Sequence, residues 1–457
     1  MWPTSSHPRA FHERRQRLVA RFPGPVLLPA GSSRPRNFPA NRYAFRAESH
    51  FLYFVGRGVE DAALLVTDGT ATLFAPEPDP EAAVWTGPTP SLEQLSEQLG
   101  LEVRPLAELS PPPNTATLPP QDLPSAFWLA ELLGRDLEAG DGANLEGVDA
   151  GLADAIVDVR LRHDAAAIAQ LEQAAVVTVA AHRAGMARTR PGLREAAVRA
   201  AMEAEIIAQG MTTSYGSIVT VHGEVLHNER HDGLLGPGDL VLADVGAETP
   251  EGWAGDVTRT WPVSGRFLSE QRELYELVLA AQRAAIDAVR PGVRYLDVHR
   301  TAGRVLVSGL TELGILRGEV EELLQRGAGA LFFPHGIGHL LGLDVHDMED
   351  LGDRAGYAPG RERSDRPGDR YLRLDRDLEP GMVVTIEPGF YRIERILERA
   401  EEVGELEDAL RRDVLGKYAS VRGIRIEDDV LVTDGAARVL TDALPKTADE
   451  IEALVGA

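Results

Sequence analysis

The pentapeptide Arg190-Pro191-Gly192-Leu193-Arg194 recurs 100 positions later as Arg290-Pro291-Gly292-Val293-Arg294. Each copy follows an apolar helical stretch and opens another. The first lies between residues 159–188 and 195–208, and the second introduces residues 295–313. Proline inside a helix removes a hydrogen bond, and glycine suits the left-handed turn that ends one. Strand-like apolar runs follow each helix pair: 217–221, 239–245 and 254–263 in the first half, 382–387 and 421–432 in the second. Pro-Gly after a helix is common, so five matched residues also fit coincidence. Duplication explains the matching order of elements as well. It predicts an α+β domain whose halves are related by a pseudo-twofold axis.

The first 150 or so residues lie outside this repeat and read as a smaller mixed α/β domain. Apolar runs at 25–29, 50–55 and 62–67 suit buried strands, and Asp68-Gly69 turns the last into a partner at 71–75. Residues 91–99 and 126–137 have helical spacing. Four glycines between 140 and 159 suit a connection, which places the domains at 1–155 and 156–457. Residues 397–420 are charged and read as helical, with no function evident.

Composition narrows the chemistry. The chain holds 71 acidic against 47 basic residues, a net charge of −24, which disfavours a nucleic-acid partner. It has no cysteine, so disulfides, thiolate metal sites and a cysteine nucleophile are excluded. Any metal must be held by His, Asp and Glu. No run approaches ~20 apolar residues, and the N-terminal stretch lacks the apolar segment of a secretory signal. A cytoplasmic location with no membrane contact is the expectation.

Carboxylates and histidines gather at the ends of the predicted strands. Asp244 ends the run 240–243, and Asp256 follows a turn rich in Gly and Pro, so the two can face one another across a hairpin. Three histidines fall within twelve residues: His335 and His339 in His-Gly-Ile-Gly-His, then His346 in Leu-Asp-Val-His-Asp. Glu387 (Thr-Ile-Glu-Pro-Gly) and Glu427 (Gly-Ile-Arg-Ile-Glu-Asp) follow apolar residues, where a buried carboxylate needs a partner. Singly, each has a plain structural explanation: Asp256 paired with Arg259, Glu427 paired with Arg425. Together, Asp244, Asp256, His339, Glu387 and Glu427 form a hard-ligand set whose four carboxylates balance two divalent ions. Such a set favours Mn²⁺, with Co²⁺ or Zn²⁺ also compatible. Two ions roughly 3.5–4 Å apart can hold one hydroxide and polarise a carbonyl.

These blocks, in this order, resemble the pita-bread metallopeptidases, which include methionine aminopeptidase, aminopeptidase P and prolidase. The likeness covers about 159–440. The pattern Phe45-Arg46-x-x-Ser49-x-Phe51-x-Tyr53-Phe54-x-Gly56 resembles the creatinase-like N-terminal domain shared by prolidase and aminopeptidase P. The resemblance implies a pita-bread catalytic domain behind a creatinase-like one. It makes the five residues above the metal ligands, with Asp256 and Glu427 bridging both ions. Glu387 becomes the acid/base as well, His346 a contact of the scissile carbonyl, and His227 and His335 substrate contacts. It also implies a homodimer. The turn between the aspartates is one residue longer than is usual in the family.

The stretch 356–382 looks most like prolidase. There Arg373, 14 residues before Glu387, matches the arginine that clamps the free carboxylate of a Xaa-Pro dipeptide. Spacing alone fits a solvated basic stretch of Arg370, Arg373 and Arg376 equally well. The expected activity is therefore metal-dependent hydrolysis of Xaa-Pro dipeptides. Release of the N-terminal residue from longer Xaa-Pro peptides is the alternative. A non-catalytic pita-bread binding protein is more remote, because all five ligand positions hold competent residues.

Overall fold

In the computed structural model, residues 8–140, 142–403 and 406–456 are described, with the side chains of 401–403 left aside. The chain divides into two compact units: Met1–Ala166 with Met348–Ala355, and Ala167–Asp347 with Gly356–Ala457. No described helix is long and apolar enough to cross a membrane.

The first unit is built on a four-stranded sheet. Val26–Pro29 pairs antiparallel with Ala63–Thr67, which forms the expected hairpin with Thr70–Ala75. Glu102–Pro105 adds in parallel. Helix Leu92–Leu99 has a capping box built on Ser91 and Gln94. Helix Leu123–Leu133 packs its Leu129 against Leu27, Leu65 and Phe74 of the sheet. The run read as a strand at 50–55 is instead helix Ser49–Val55. Every residue of that helix is buried, which erases the period by which helix and strand are told apart. Glu48 caps it by accepting from the Phe51 N–H, and Gly56 closes it in the left-handed region at φ 81°.

The long helix expected over 159–188 is broken. Helix Gly147–Arg160 fills most of the stretch read as a connection and runs into the first two residues of the expected helix, and helix Ala165–Arg188 starts afresh. Residues 397–420 carry the end of helix Glu394–Val403 and the turn Arg412–Leu415; 404–405 lie outside the described residues.

In the second unit the repeated pentapeptide makes the same backbone bridges twice. Gly192 donates to Leu235 O at 2.8 Å, and Leu235 donates back to Leu193 O at 2.8 Å. Gly292 donates to Leu378 O at 2.8 Å, and Leu378 donates to Val293 O at 2.9 Å. Both glycines sit at positive φ, 85° and 80°, where a side chain would be strained. The turns are followed by helices Glu195–Ala208 and Tyr295–Glu312. This is the pseudo-symmetric α+β architecture that the repeat predicts.

Each half contributes sheet. Leu240–Asp244 lies between Thr258–Pro262 and Ile218–Thr220, all antiparallel. In the other half Val383–Ile386 pairs with Asp428–Leu431, and Gly389–Tyr391 pairs with Gly423–Arg425. The run expected at 421–432 is thus two strands, separated at Ile426-Glu427. The halves join where Glu427 donates its N–H to Thr258 O at 3.0 Å. Thr260 Oγ1 also accepts from Arg425 N at 3.1 Å.

Candidate functional site

Register places the acidic residues. Asp244 pairs with Thr258, and the ladder continues through Val245 N–H to Val257 O at 3.1 Å. Side chains alternate faces along a strand, so Asp256, two residues before Thr258, shares the face of Asp244. The Tyr215 hydroxyl lies within hydrogen-bond reach of both carboxylates, 2.6 Å from Asp256 Oδ1. In the other half Ile386 pairs with Asp428, which sets Glu387 and Glu427 at the same end of adjacent strands. Glu427 accepts from Thr258 Oγ1 at 2.8 Å.

The His-Gly-Ile-Gly-His segment runs beside the strand that leads to Glu387. Thr385 N donates to His339 O at 3.0 Å, and Glu387 N to Ile337 O at 2.8 Å. Gly338 permits this approach, because a Cβ there would stand 2.2 Å from Thr385 O. His339 Nδ1 lies 3.0 Å from Leu340 O, which turns Nε2 inward. His339 Nε2 is 3.3 Å from Asp256 Oδ2 and 3.8 Å from Glu387 Oε1. One ligand atom each of Asp256, His339 and Glu427 lies within 4.8 Å of the others.

These groups line one cavity of about 480 Å³ with Asp244, Glu387, His227, His335, His346 and Arg373. All nine residues singled out in the sequence therefore meet. The His346 ring stands 4.2 Å from that of His339. His335 contacts Gly336 O at 2.7 Å and the Tyr391 hydroxyl at 2.8 Å, with Glu387 Oε2 at 3.7 Å. His227 sits on an exposed loop and reaches the cavity from the rim.

The simple ion pairs considered from sequence do not form. Arg259 bonds Asp428 rather than Asp256, and Arg425 bonds Asp244 Oδ2 at 2.6 Å rather than Glu427. Arg425 also donates to the Tyr391 hydroxyl at 3.0 Å and Thr258 Oγ1 at 2.9 Å. Sequence reading missed Tyr215, Tyr391, Arg363 and Tyr371. The two tyrosines that contact the ionised groups lie in no motif, and their partners are distant in the chain.

The electrostatics fit cations. Burial raises the Glu387 carboxyl to about 7. Burial, then repulsion from Asp256, Glu387 and Asp244, pushes Glu427 well above the carboxylate range. Asp244 is also raised, chiefly by burial. Burial works to raise Asp256 too, but the hydrogen bond and charge of His339 outweigh it and the carboxyl is lowered. A tyrosine hydroxyl has one proton and cannot donate to Asp244 and Asp256 at once. Four carboxylates therefore converge on one guanidinium and one imidazole, and divalent ions would relieve their mutual repulsion. Oxygen-rich donors with a single imidazole suit hard or borderline divalent metals.

Comparison with known proteins agrees. The sequence pattern of Metallopeptidase family M24 matches residues 169–434, and that of the aminopeptidase P N-terminal domain matches residues 11–114. A human Xaa-Pro dipeptidase is 33% identical over 451 residues, covering 94% of this chain and 88% of that protein. A probable Xaa-Pro aminopeptidase of Talaromyces marneffei is 33% identical over 469 residues, covering 99% and 97%. The structure of the Pseudomonas aeruginosa aminopeptidase PepP superposes with a TM-score of 0.80 at 30% identity, covering 98% of each chain.

Proposed function

Because the chain belongs to metallopeptidase family M24, we propose that it is an Xaa-Pro dipeptidase dependent on two divalent ions, Mn²⁺ by preference. Asp244, Asp256, His339, Glu387 and Glu427 would hold the ions. Two such ions, when bound, supply a nucleophile from water at neutral pH and polarise the scissile carbonyl.

The chain's own groups do the rest. Glu387 lines the cavity between His339 and His335 and is placed to act as the acid/base. It takes a proton from the attacking water and delivers it to the proline nitrogen. That nitrogen is a tertiary amide and carries no hydrogen of its own. His346 and His227 orient the substrate carbonyl and backbone. Burial lowers His335 to about 3, so its ring stays neutral. It accepts from the Tyr391 hydroxyl beside Glu387 without adding charge.

The observation that carries the dipeptide reading is Arg373, in the same cavity as the carboxylates. A guanidinium there would bind the free carboxylate of proline, a charge-assisted bond of about 1.5–3 kcal/mol. The second reading is an Xaa-Pro aminopeptidase, supported by the 98% overlap with PepP. Parallel assays of Gly-Pro and Gly-Pro-Ala with Mn²⁺ separate them. Turnover of Gly-Pro, with a large rise in its KM for Arg373→Ala, is expected. Cleavage of the tripeptide alone selects the aminopeptidase. The same reading takes the protein to be a cytoplasmic homodimer.

A further inference from the structure

The loop that carries His227 to the cavity belongs to no regular strand or helix between Val221 and Gly233. Its position is set from outside, by helix Glu195–Ala208. The Glu195 side chain is buried, at 2% exposure, and its carboxylate accepts from both ends of the loop. Val221 N–H donates to Oε1 at 2.8 Å, and Gly233 N–H donates to Oε2 at 3.0 Å. The Thr220 hydroxyl donates to Oε1 at 3.1 Å. In return the helix donates Glu195 N–H to Gly233 O at 3.0 Å and Ala196 N–H to His231 O at 3.2 Å.

The network continues to the residue beside the histidine. Thr220 Oγ1 accepts from Asn228 Nδ2 at 2.9 Å and from His222 N–H at 2.9 Å. One carboxylate thus fixes both roots of the loop directly and its centre through a hydroxyl. Gly233 makes room for it, since a Cβ there would stand 2.7 Å from the carboxyl carbon.

An acid in the first turn of a helix is often explained by the helix dipole alone. The repeat argues otherwise. The equivalent first residue of the second half is Tyr295, whose N–H makes the matching bridge to Arg376 O at 2.9 Å while its hydroxyl bonds Thr385 O. The helix start tolerates a neutral residue, and the carboxylate occurs in the half whose loop holds His227.

We propose that Glu195 is a positioning residue that sets the place of His227 in the substrate cavity. This rests on the reading of that cavity as an Xaa-Pro site. Glutamine fills the same volume but cannot substitute chemically. Its NH₂ must face either Val221 N–H or Gly233 N–H, donor against donor.

The test is a double-mutant cycle on the full-length Mn²⁺-loaded protein with Gly-Pro, using Glu195→Gln, His227→Ala and the pair, together with the histidine-ring NMR signals of the same proteins loaded with diamagnetic Zn²⁺, assigned through His227→Ala. Glu195→Gln is expected to lower kcat/KM on the order of ten- to a hundredfold, the scale of a displaced substrate contact. That loss should disappear in the His227→Ala background. The His227 ring signal should shift while metal content stays at the wild-type level. Thr220→Val, which keeps both backbone donors on Glu195, serves if Glu195→Gln does not fold. An additive cycle, or an unmoved His227 signal, overturns the proposal. Absence of turnover of both Gly-Pro and Gly-Pro-Ala in the wild type overturns the substrate reading alone, and the ring signal still decides the role of Glu195.

Discussion

Arg259 Nη2 stands 2.7 Å from Asp428 Oδ1, with both side chains fully buried. Arg259 follows Asp256 by three residues and Asp428 follows Glu427 by one, so this pair fastens the two halves beside the donor cluster. Asp428 also accepts from Gln282 at 2.7 Å, Thr441 at 2.8 Å and Lys446 at 2.6 Å. Burial would raise its carboxyl, but Arg259 and Lys446 hold it down at about 2. Its stabilisation is present above the ordinary carboxylate range and is lost as pH falls through about 2. Asp428→Asn strands the buried Arg259 and takes a partner from the half-buried Lys446, and removing one partner of a buried pair costs about 3–5 kcal/mol. Denaturant titration should show that loss, and metal affinity should fall with it. Unchanged unfolding and metal affinity would refute the role of this pair.

Glu427 gives the opposite sign in the metal-free protein. Its folded pKa is raised by burial and by neighbouring carboxylates. The unfolded chain therefore ionises first, and folding stability drops as pH rises above the ordinary glutamate value. Glu427→Gln removes that cost along with the donor. Without metal the variant should melt above the wild type at pH 8, by a margin that shrinks toward pH 5. With excess Mn²⁺ the order should reverse, because ions that bind only the folded state stabilise it. Thermal melts with chelator and with metal check both halves of this statement.

How far the sequence reveals this site follows from the range of each interaction. Asp244, Asp256, His339, Glu387 and Glu427 are legible because each lies in a short local pattern. The Gly338 contact with Thr385 belongs to such a pattern too. Tyr215 and Arg425 meet Asp244 across 29 and 181 positions, and nothing local marks that meeting. Helix Ser49–Val55 resembles a strand in sequence because burial on all sides removes its amphipathic period. The twin Pro-Gly turns were readable because positive φ imposes a residue type.

His182 predicts an acid limit. Its Nε2 bonds Val245 O at 3.1 Å, one residue past Asp244. Burial first, then the Arg259 charge, lower it to about 3. The ring is neutral in the folded protein and charges in the unfolded chain near 6.5. Stability therefore falls as pH drops from about 6.5 toward 3. His182→Gln keeps an N–H donor and lacks the titration. The wild type should lose about 1.4 kcal/mol relative to this variant for each pH unit below about 6.5. Chelator-treated samples exclude metal release from the comparison, and parallel pH curves would count against a neutral buried ring.

Arg373 depends on its own supports. Leu372 O, next to it, accepts from the Tyr357 hydroxyl at 2.8 Å and from Arg363 Nη1 at 2.8 Å. The Arg363 guanidinium lies over the Tyr357 ring, 5.2 Å from its centre. Gly356 lets the segment close, because a Cβ there would be 2.2 Å from Arg373 O. Tyr357→Phe removes one neutral hydrogen bond, worth about 1 kcal/mol, or roughly fivefold in an equilibrium. If Arg373 clamps the proline carboxylate, that change should appear as a rise in KM for Gly-Pro with kcat nearly kept. Arg363→Met also loses the stack and should raise KM further. Steady-state kinetics on Gly-Pro separate the two parameters, and a fall in kcat at constant KM would place the defect at the reacting centre instead of at the clamp.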